Sequence, residues 1–247
     1  MKIRNKIFTS MLTLSLSFGV FFTSSSFAAE KDDIKLETKA IQIQKQKGYE
    51  IQRIKDEYSD KKVQDKLIEK VKKGQMLDSI NPEKQALGVK EKINETTTIT
   101  TYPDGSKEVS GVDYSQAKFY DDKGNEVERP QDSISGGTWT SGSGYACVKG
   151  AKVYRQNYGQ FSAEYYADFC YHNGAYDKLD RVYGRIIDAS GGSYSIENEG
   201  VFRTWETSTY SAYGGVKFNY TSSSGGSGTK YLYIRVGNDR SWEDTNI

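Results

Sequence analysis

Hydrophobic and polar positions change their period twice along the chain. Between residues 29 and 74 the apolar positions are sparse and helical. Ile51, Ile54 and Tyr58 fall at i, i+3 and i+7, and Val63, Leu67 and Val71 at i, i+4 and i+8. That spacing predicts a narrow apolar stripe on a charged helix. Lys70, Lys72 and Lys73 crowd its last turn, where cations suit the helix dipole. Gly74 follows as a C-terminal cap. The stretch before Gly48 carries no stripe and is expected to fray.

From residue 75 to 133 the period shortens. Thr96–Tyr102 is a β-branched run, Pro103-Asp104-Gly105 supplies turn chemistry, and Val109 and Val112 lie in the return segment. A β-hairpin is expected. Asp121–Asn125 forms a second turn between Ala117–Tyr120 and Glu126-Val127. The segment reads as an acidic linker with hairpins. Beyond it, residues 134–247 alternate short Tyr-, Val-, Ile- and Phe-rich runs with Gly-Ser breaks. Strands are expected at about Gly144–Arg155, Phe161–Tyr171, Lys178–Asp188, Val201–Tyr210, Val216–Tyr220 and Thr229–Val236. The fold class is therefore mainly β: an antiparallel β-sandwich preceded by a charged helical segment and a small hairpin linker.

The start of the chain reads differently from all of this. Lys2, Arg4 and Lys6 precede an apolar run from Ile7 to about Phe22, and Ser26 and Ala28 are the small residues a signal peptidase requires. Residues 1–28 are expected to be a signal peptide, and the protein to be secreted and extracellular. The run is too short and too rich in Ser and Thr for a membrane anchor, and no second apolar stretch suggests a transmembrane segment in the mature chain. Cleavage removes three of 34 cations and leaves 31 against 33 acids. That balance excludes a general nucleic-acid binder, which needs a basic surplus.

Export gives meaning to the only two cysteines, Cys147 and Cys170. An even count in an oxidising compartment favours a disulfide. A loop centred on Tyr158-Gly159 would set Asn157 opposite Gln160 and, further out, Cys147 opposite Cys170. Phe161, Ala163, Tyr165, Ala167 and Phe169 would share one face.

Catalytic chemistry is scarce. His172 is the only histidine, sits beside an Asn-Gly turn, and is expected at the surface. No nucleophile elbow, zinc motif, phosphate loop or dinucleotide fingerprint occurs, so no cofactor and no metal are expected. Glu197 and Glu199, two apart and so on one face of a strand, with Glu164, Asp168 and Glu206, are the acids a glycosidase could use. Asp239–Asp244 could hold calcium, though oxygen ligands at this density are weak support. Thr207–Tyr220 has the polar-aromatic character of a pore-forming hairpin.

Aromatic content is the strongest lead. Fourteen of 19 tyrosines and all three tryptophans lie beyond residue 134. Rings on exposed strands make platforms for sugars or protein partners. Trp139, Tyr165, Tyr166, Trp205 and Trp242 are the candidate binding residues, whereas Tyr231-Leu232-Tyr233-Ile234 has two apolar faces and reads as core. The expected function is non-enzymatic binding of an extracellular protein, glycan or cell-envelope component.

Two motifs add a resemblance. Lys73–Pro82 reads KGxxLDSINP, and Tyr102–Ser106 reads YPDGS about 20 residues later. The pair, within Gly48–Val112, resembles an N-terminal module of small secreted proteins of bacilli and related Gram-positive bacteria. Some of those look bacteriocin-like, which implies an alternative: an antibacterial protein that permeabilises related bacteria. The resemblance transfers no active-site residue.

Overall fold

The computed structural model describes residues 26–128, 145–172 and 174–245. The chain divides into two compact units, residues 1–40 and 41–247. The expected signal peptide lies outside the described residues except for Ser26–Ala28, which open helix α1 (Ser26–Glu57). Everything below concerns the second unit.

The chain stays helical through Gly48, where fraying was expected. Lys, Glu and Gln are good helix formers, so one Gly, costing about 1 kcal/mol, does not break the run. The break comes later. Asp60 accepts hydrogen bonds from Lys62 N (2.8 Å) and Val63 N (3.3 Å) and starts a second helix, α2 (Lys61–Lys72). The single striped helix of the sequence pattern is thus two. Gly74 follows in the left-handed region, as a C-terminal cap requires. The stripe itself is buried: Ile54, Leu67 and Val71 are fully enclosed.

Strands β1 (Val89–Asn94), β2 (Thr97–Thr101), β3 (Lys107–Asp113), β4 (Lys118–Tyr120), β5 (Glu126–Val127), β6 (Tyr145–Asn157), β7 (Phe161–His172) and β8 (Lys178–Asp188) form one antiparallel sheet. Its main order is β1-β2-β3-β6-β7-β8. Strand β4 runs beside β6 beyond the end of β3. The acidic segment is therefore not a linker ahead of the sandwich but one wing of its larger sheet. Strands β9 (Gly192–Arg203), β10 (Ala212–Ser222), β11 (Ser227–Gly237) and β12 (Arg240–Thr245) form the second sheet, in the order β12-β11-β10-β9. β11 lies over β6 and β7, and β12 over β3.

The core follows strand alternation. Phe161, Ala163, Tyr165, Ala167 and Phe169 of β7 point inward and meet Val216 and Phe218 of β10 and Leu232, Ile234 and Val236 of β11. Phe161 packs edge-on against Phe218, ring centroids 5.6 Å apart. Each of the Phe, Val, Leu and Ile side chains contributes roughly 1.5–3 kcal/mol by burial.

Two strands depart from the sequence pattern. β9 begins at Gly192 rather than Val201: on this edge strand Ile196 and Val201 pack against the core, and most of the run Gly192–Gly200 can be polar. β12 occupies the acidic tail. Its Ser241 turns inward and hydrogen-bonds Tyr114 and Tyr171 at 2.5 and 2.7 Å. Thr207–Tyr220 is a loop and one strand, not a hairpin.

Cys147 and Cys170 are paired across β6 and β7 and form a disulfide. The register arrives by a different route from the one counted above. The hairpin turn is one residue longer, with Asn157 opposite Phe161, and a bulge at Lys149-Gly150 restores the pairing. Asp168 holds that bulge by accepting Gly150 N at 2.8 Å. Replacing both cysteines by serine removes a cross-link between residues separated by 23 positions. The expected loss is about 3 kcal/mol of stability, measured as the shift in urea-unfolding free energy of the double variant. An unchanged midpoint would assign the bridge no role in stability.

The two sequence motifs meet at one joint. Lys70 Nζ donates to Asp78 Oδ1 at 2.8 Å and to Asp104 Oδ2 at 2.7 Å. Asp78 N donates to the same Asp104 oxygen at 2.8 Å, and Ser79 N to Ser106 Oγ at 3.0 Å. Gly105 has φ +91°, and a Cβ there would lie 2.9 Å from Val63 Cγ1 of α2. KGxxLDSINP and YPDGS are thus the two halves of a structural clasp.

The last turns of α1 tie down the hairpin tips. Glu50, fully buried, accepts from Gln160 Nε2, from Ser223 Oγ at 2.6 Å and from Ser224 Oγ at 2.9 Å. Burial pushes its carboxyl above the usual range.

Candidate functional site

The outer face of the β9–β12 sheet carries an unusual set of side chains. Alternation sends Leu232 and Ile234 inward and leaves Tyr231, Tyr233 and Arg235 outward. Tyr231 and Tyr233, expected as core, are therefore a half-exposed surface pair, stacked with centroids 4.7 Å apart and planes 15° apart. Phe202 of β9 and Tyr213 of β10 complete a ring cluster. Phe202 lies 5.5 Å from both Tyr213 and Tyr233, and those two lie 5.8 Å apart.

Cations run through the rings. One row of directly opposed residues crosses all four strands: Arg203, Tyr213, Arg235 and Trp242. Both guanidinium carbons lie 5.2 Å from the Tyr213 centroid, within cation–π range. The next row pairs Gly200 with Gly215 and Gly215 with Tyr233, so Phe202 reaches Tyr233 over two positions without side chains. A shallow groove of about 490 Å³ runs here between Arg203, Tyr210, Lys217 and Tyr231. Burial raises the Tyr231 and Tyr233 hydroxyl pKa values, so both hydroxyls stay protonated donors at neutral pH.

Tyr210 joins this groove to a second hollow of about 600 Å³ at the end of the sandwich, where three loops converge. Its walls include Tyr176, Thr207, Ser211 and Asn238. Tyr176 and Tyr210 are 52% and 62% exposed, so their rings are open to solvent. The acids at this end are structural. Glu206 accepts Asp177 N (3.1 Å) and Asn238 N (2.9 Å), and Asp177 accepts His172 N and Asp239 N, both at 2.8 Å. Asp177 has its pKa pushed up to about 6 by burial.

The residues singled out from the sequence fall in four different places. Trp242 belongs to the cation–aromatic row. Tyr165 is fully buried, its hydroxyl donating to Gly214 O at 3.4 Å. Tyr166 packs against Tyr183 on the other sheet, 5.9 Å between centroids. Trp205 is 49% exposed, 5.8 Å from the His172 ring, and His172 itself is half-buried at the end of β7. Trp139 lies outside the described residues. Phe202, Tyr213, Tyr231 and Tyr233 were missed, although the alternation with Leu232 and Ile234 marked two of them.

Of the acids named for glycoside hydrolysis, Glu197, Glu199 and Glu206 each have a structural partner, and Asp168 and Glu164 are paired with Arg181 and Lys152. Glu197 sits in a β-bulge that interrupts the alternation with Glu199. Glu197 pairs with Lys217 at 2.6 Å, Glu199 pairs with Arg185, and Glu206 is engaged as above. Among the described residues, no group of three or more His, Cys, Asp or Glu side chains is placed to hold a metal ion, and no helix is long and apolar enough to cross a membrane. Compared with protein-family models, curated proteins and solved structures, the chain matches none.

Proposed function

We propose that this is a secreted, non-catalytic binding protein that holds a cell-envelope glycan on the outer face of the β9–β12 sheet. The observation that supports it is the cluster of Phe202, Tyr213, Tyr231 and Tyr233 on a sheet face that belongs to no core. Sugar rings stack on aromatic faces through their C–H edges, and the flanking hydroxyl and guanidinium donors suit sugar oxygens. The groove is open along its length, which admits an interior stretch of a polymer as readily as an end.

The test is co-sedimentation of the purified, oxidised protein with isolated Gram-positive cell walls. A Tyr213→Ala/Tyr233→Ala variant removes two rings from the surface and leaves the buried face intact. Its affinity is expected to fall at least about tenfold, the equivalent of roughly 1.4 kcal/mol of lost stacking. Thermal melting confirms that the variant is folded. Undiminished binding by the folded variant defeats the assignment of this face, and release of soluble sugars from the walls defeats the non-catalytic reading. Dye uptake by living cells at the same protein concentration would instead support the bacteriocin-like alternative.

A further inference from the structure

We infer that the glycan bound on this face is acidic, and that Arg203 recognises its phosphate or carboxylate groups. The inference rests on the binding reading above and adds the charge class of the ligand.

The cations of the face differ in one respect. Lys217 is paired with Glu197 Oε2 at 2.6 Å, and Arg235 with Asp244 Oδ2 at 2.5 Å. Arg203 has no carboxylate of the described residues within salt-bridge distance. Its Nη1 donates to Ser211 O at 3.0 Å. Its guanidinium carbon lies 5.0 Å from the Tyr210 centroid and 5.2 Å from the Tyr213 centroid. Two rings and one carbonyl therefore hold the group in place while most of its five N–H donors remain available. A planar guanidinium held in this way is prepared for two-point contact with an oxyanion, and little side-chain entropy remains to be lost on binding.

The surroundings agree in sign. Arg203, Lys217 and Arg235 line the groove together with four tyrosines; Glu197 and Asp244, which pair with the latter two, are not among its lining residues. Arg203 and Arg235 flank Tyr213 on neighbouring strands, so the two guanidiniums stand on the order of 10 Å apart, two strand spacings. Linked pyranose rings span such a distance, with an anionic substituent toward each arginine. The already paired Arg235 ranks second because an anion there competes with Asp244.

The experiment uses the full oxidised protein and cell walls in three forms: untreated, stripped of phosphodiester-linked polymer with hydrofluoric acid, and amidated at their carboxylates. Each is titrated with the unmodified protein, with Arg203→Gln and with Arg203→Lys, and folding of each variant is checked by melting. Untreated walls are expected to bind Arg203→Gln at least about tenfold more weakly than the unmodified protein, with Arg203→Lys in between, because the charge remains and the fork is lost. Affinity of the unmodified protein is expected to fall with added salt, and more steeply than that of Arg203→Gln. Loss of binding on stripping assigns a phosphate ligand, and loss on amidation a carboxylate ligand. If stripped and amidated walls both bind as tightly as untreated ones, and Arg203→Gln is unchanged, the acidic ligand is overturned while glycan binding stands. If untreated walls do not bind at all, both readings fall.

Discussion

Replacing Asp104 by alanine lowers the free energy of unfolding by about 3 kcal/mol, chiefly the cost of leaving the buried Asp78 and Ser106 N–H groups without their acceptor. Asp104 is 5% exposed. One of its oxygens accepts from Lys70 Nζ and Asp78 N, and the other from Ser106 N at 2.9 Å and Ser106 Oγ at 2.5 Å. Alanine leaves the buried Asp78 N–H without its acceptor and Lys70 with only Asp78. These hydrogen bonds and the Lys70 charge hold the Asp104 carboxyl below the usual range despite its burial. A carboxylate with a lowered pKa stabilises the fold above its unfolded pKa, and that stability is lost as pH falls through the folded value. Urea unfolding at pH 7 and at acid pH checks both parts. The difference between the two proteins should shrink in acid, and a constant difference would remove the charge from the explanation.

The second large effect lies deeper. Glu108, Arg155 and Lys230 are each 1% exposed. Glu108 Oε2 accepts from Arg155 Nη2 at 2.8 Å and Asn157 Nδ2 at 3.2 Å, and Arg155 Nη1 donates to Tyr231 O at 2.9 Å. Lys230 stands in the same field. Burial, with the nearby Arg155 charge adding to it and Glu108 opposing it, pushes its pKa down to about 7. Glu108→Gln keeps the shape and removes the only acid of the trio. It is expected to cost about 3–5 kcal/mol at pH 6, where the buried Arg155 loses its counter-charge and Lys230, without the Glu108 charge that favours its protonated form, must stay charged unpaired or give up its proton. The cost should be smaller at pH 9, because Lys230 has then released its proton. The unmodified protein gains stability over the same interval. The unfolded lysine titrates near 10.5 and the folded one near 7, so between them the unfolded chain holds more protons and stability rises with pH. Denaturant midpoints of both proteins at pH 6 and pH 9 decide it. A cost independent of pH would mean that Lys230 does not take part.

These two clusters show what the sequence carries and what it hides. The inward face of β7 was legible, because Phe161, Ala163, Tyr165, Ala167 and Phe169 alternate without interruption. So was the cross-strand position of the two cysteines, although by a count in which a longer turn and a bulge cancel. Glu108, Arg155 and Lys230 were not. Each extends the inward parity of its strand by one charged residue: Glu108 before Ser110 and Val112, Arg155 after Val153, Lys230 before Leu232. A charge at such a place reads as the end of a strand, and only tertiary pairing reveals three such ends gathered together, two cations around one acid.

The ring cluster escaped notice for the converse reason. Tyr231 and Tyr233 are as apolar as their neighbours in a linear pattern, and only the second layer fixes which side is covered. Arg203 stood at a predicted strand start rather than a strand end, so its register opposite Tyr213 could not be counted. The clasp of Asp78, Asp104 and Lys70 was visible as two motifs but not as one contact, because nothing in either motif names the other as its partner.

The contacts of Glu50 also set an order of events. Its partner Ser224 is 174 positions away, whereas the joint between Asp78 and Asp104 spans 26. In a chain that folds as it emerges from export, Glu50 arrives long before Ser224. The clasp and the early hairpins can close while the rest of the chain is still emerging, but the end of α1 finds its last hydrogen-bond partners only when β10 and β11 have paired. The amphipathic turn carrying Ile51 and Ile54 waits uncovered at least until the β6–β7 tip at Gly159 arrives against Ile54, and it is there that a chaperone or a protease would meet the unfinished protein.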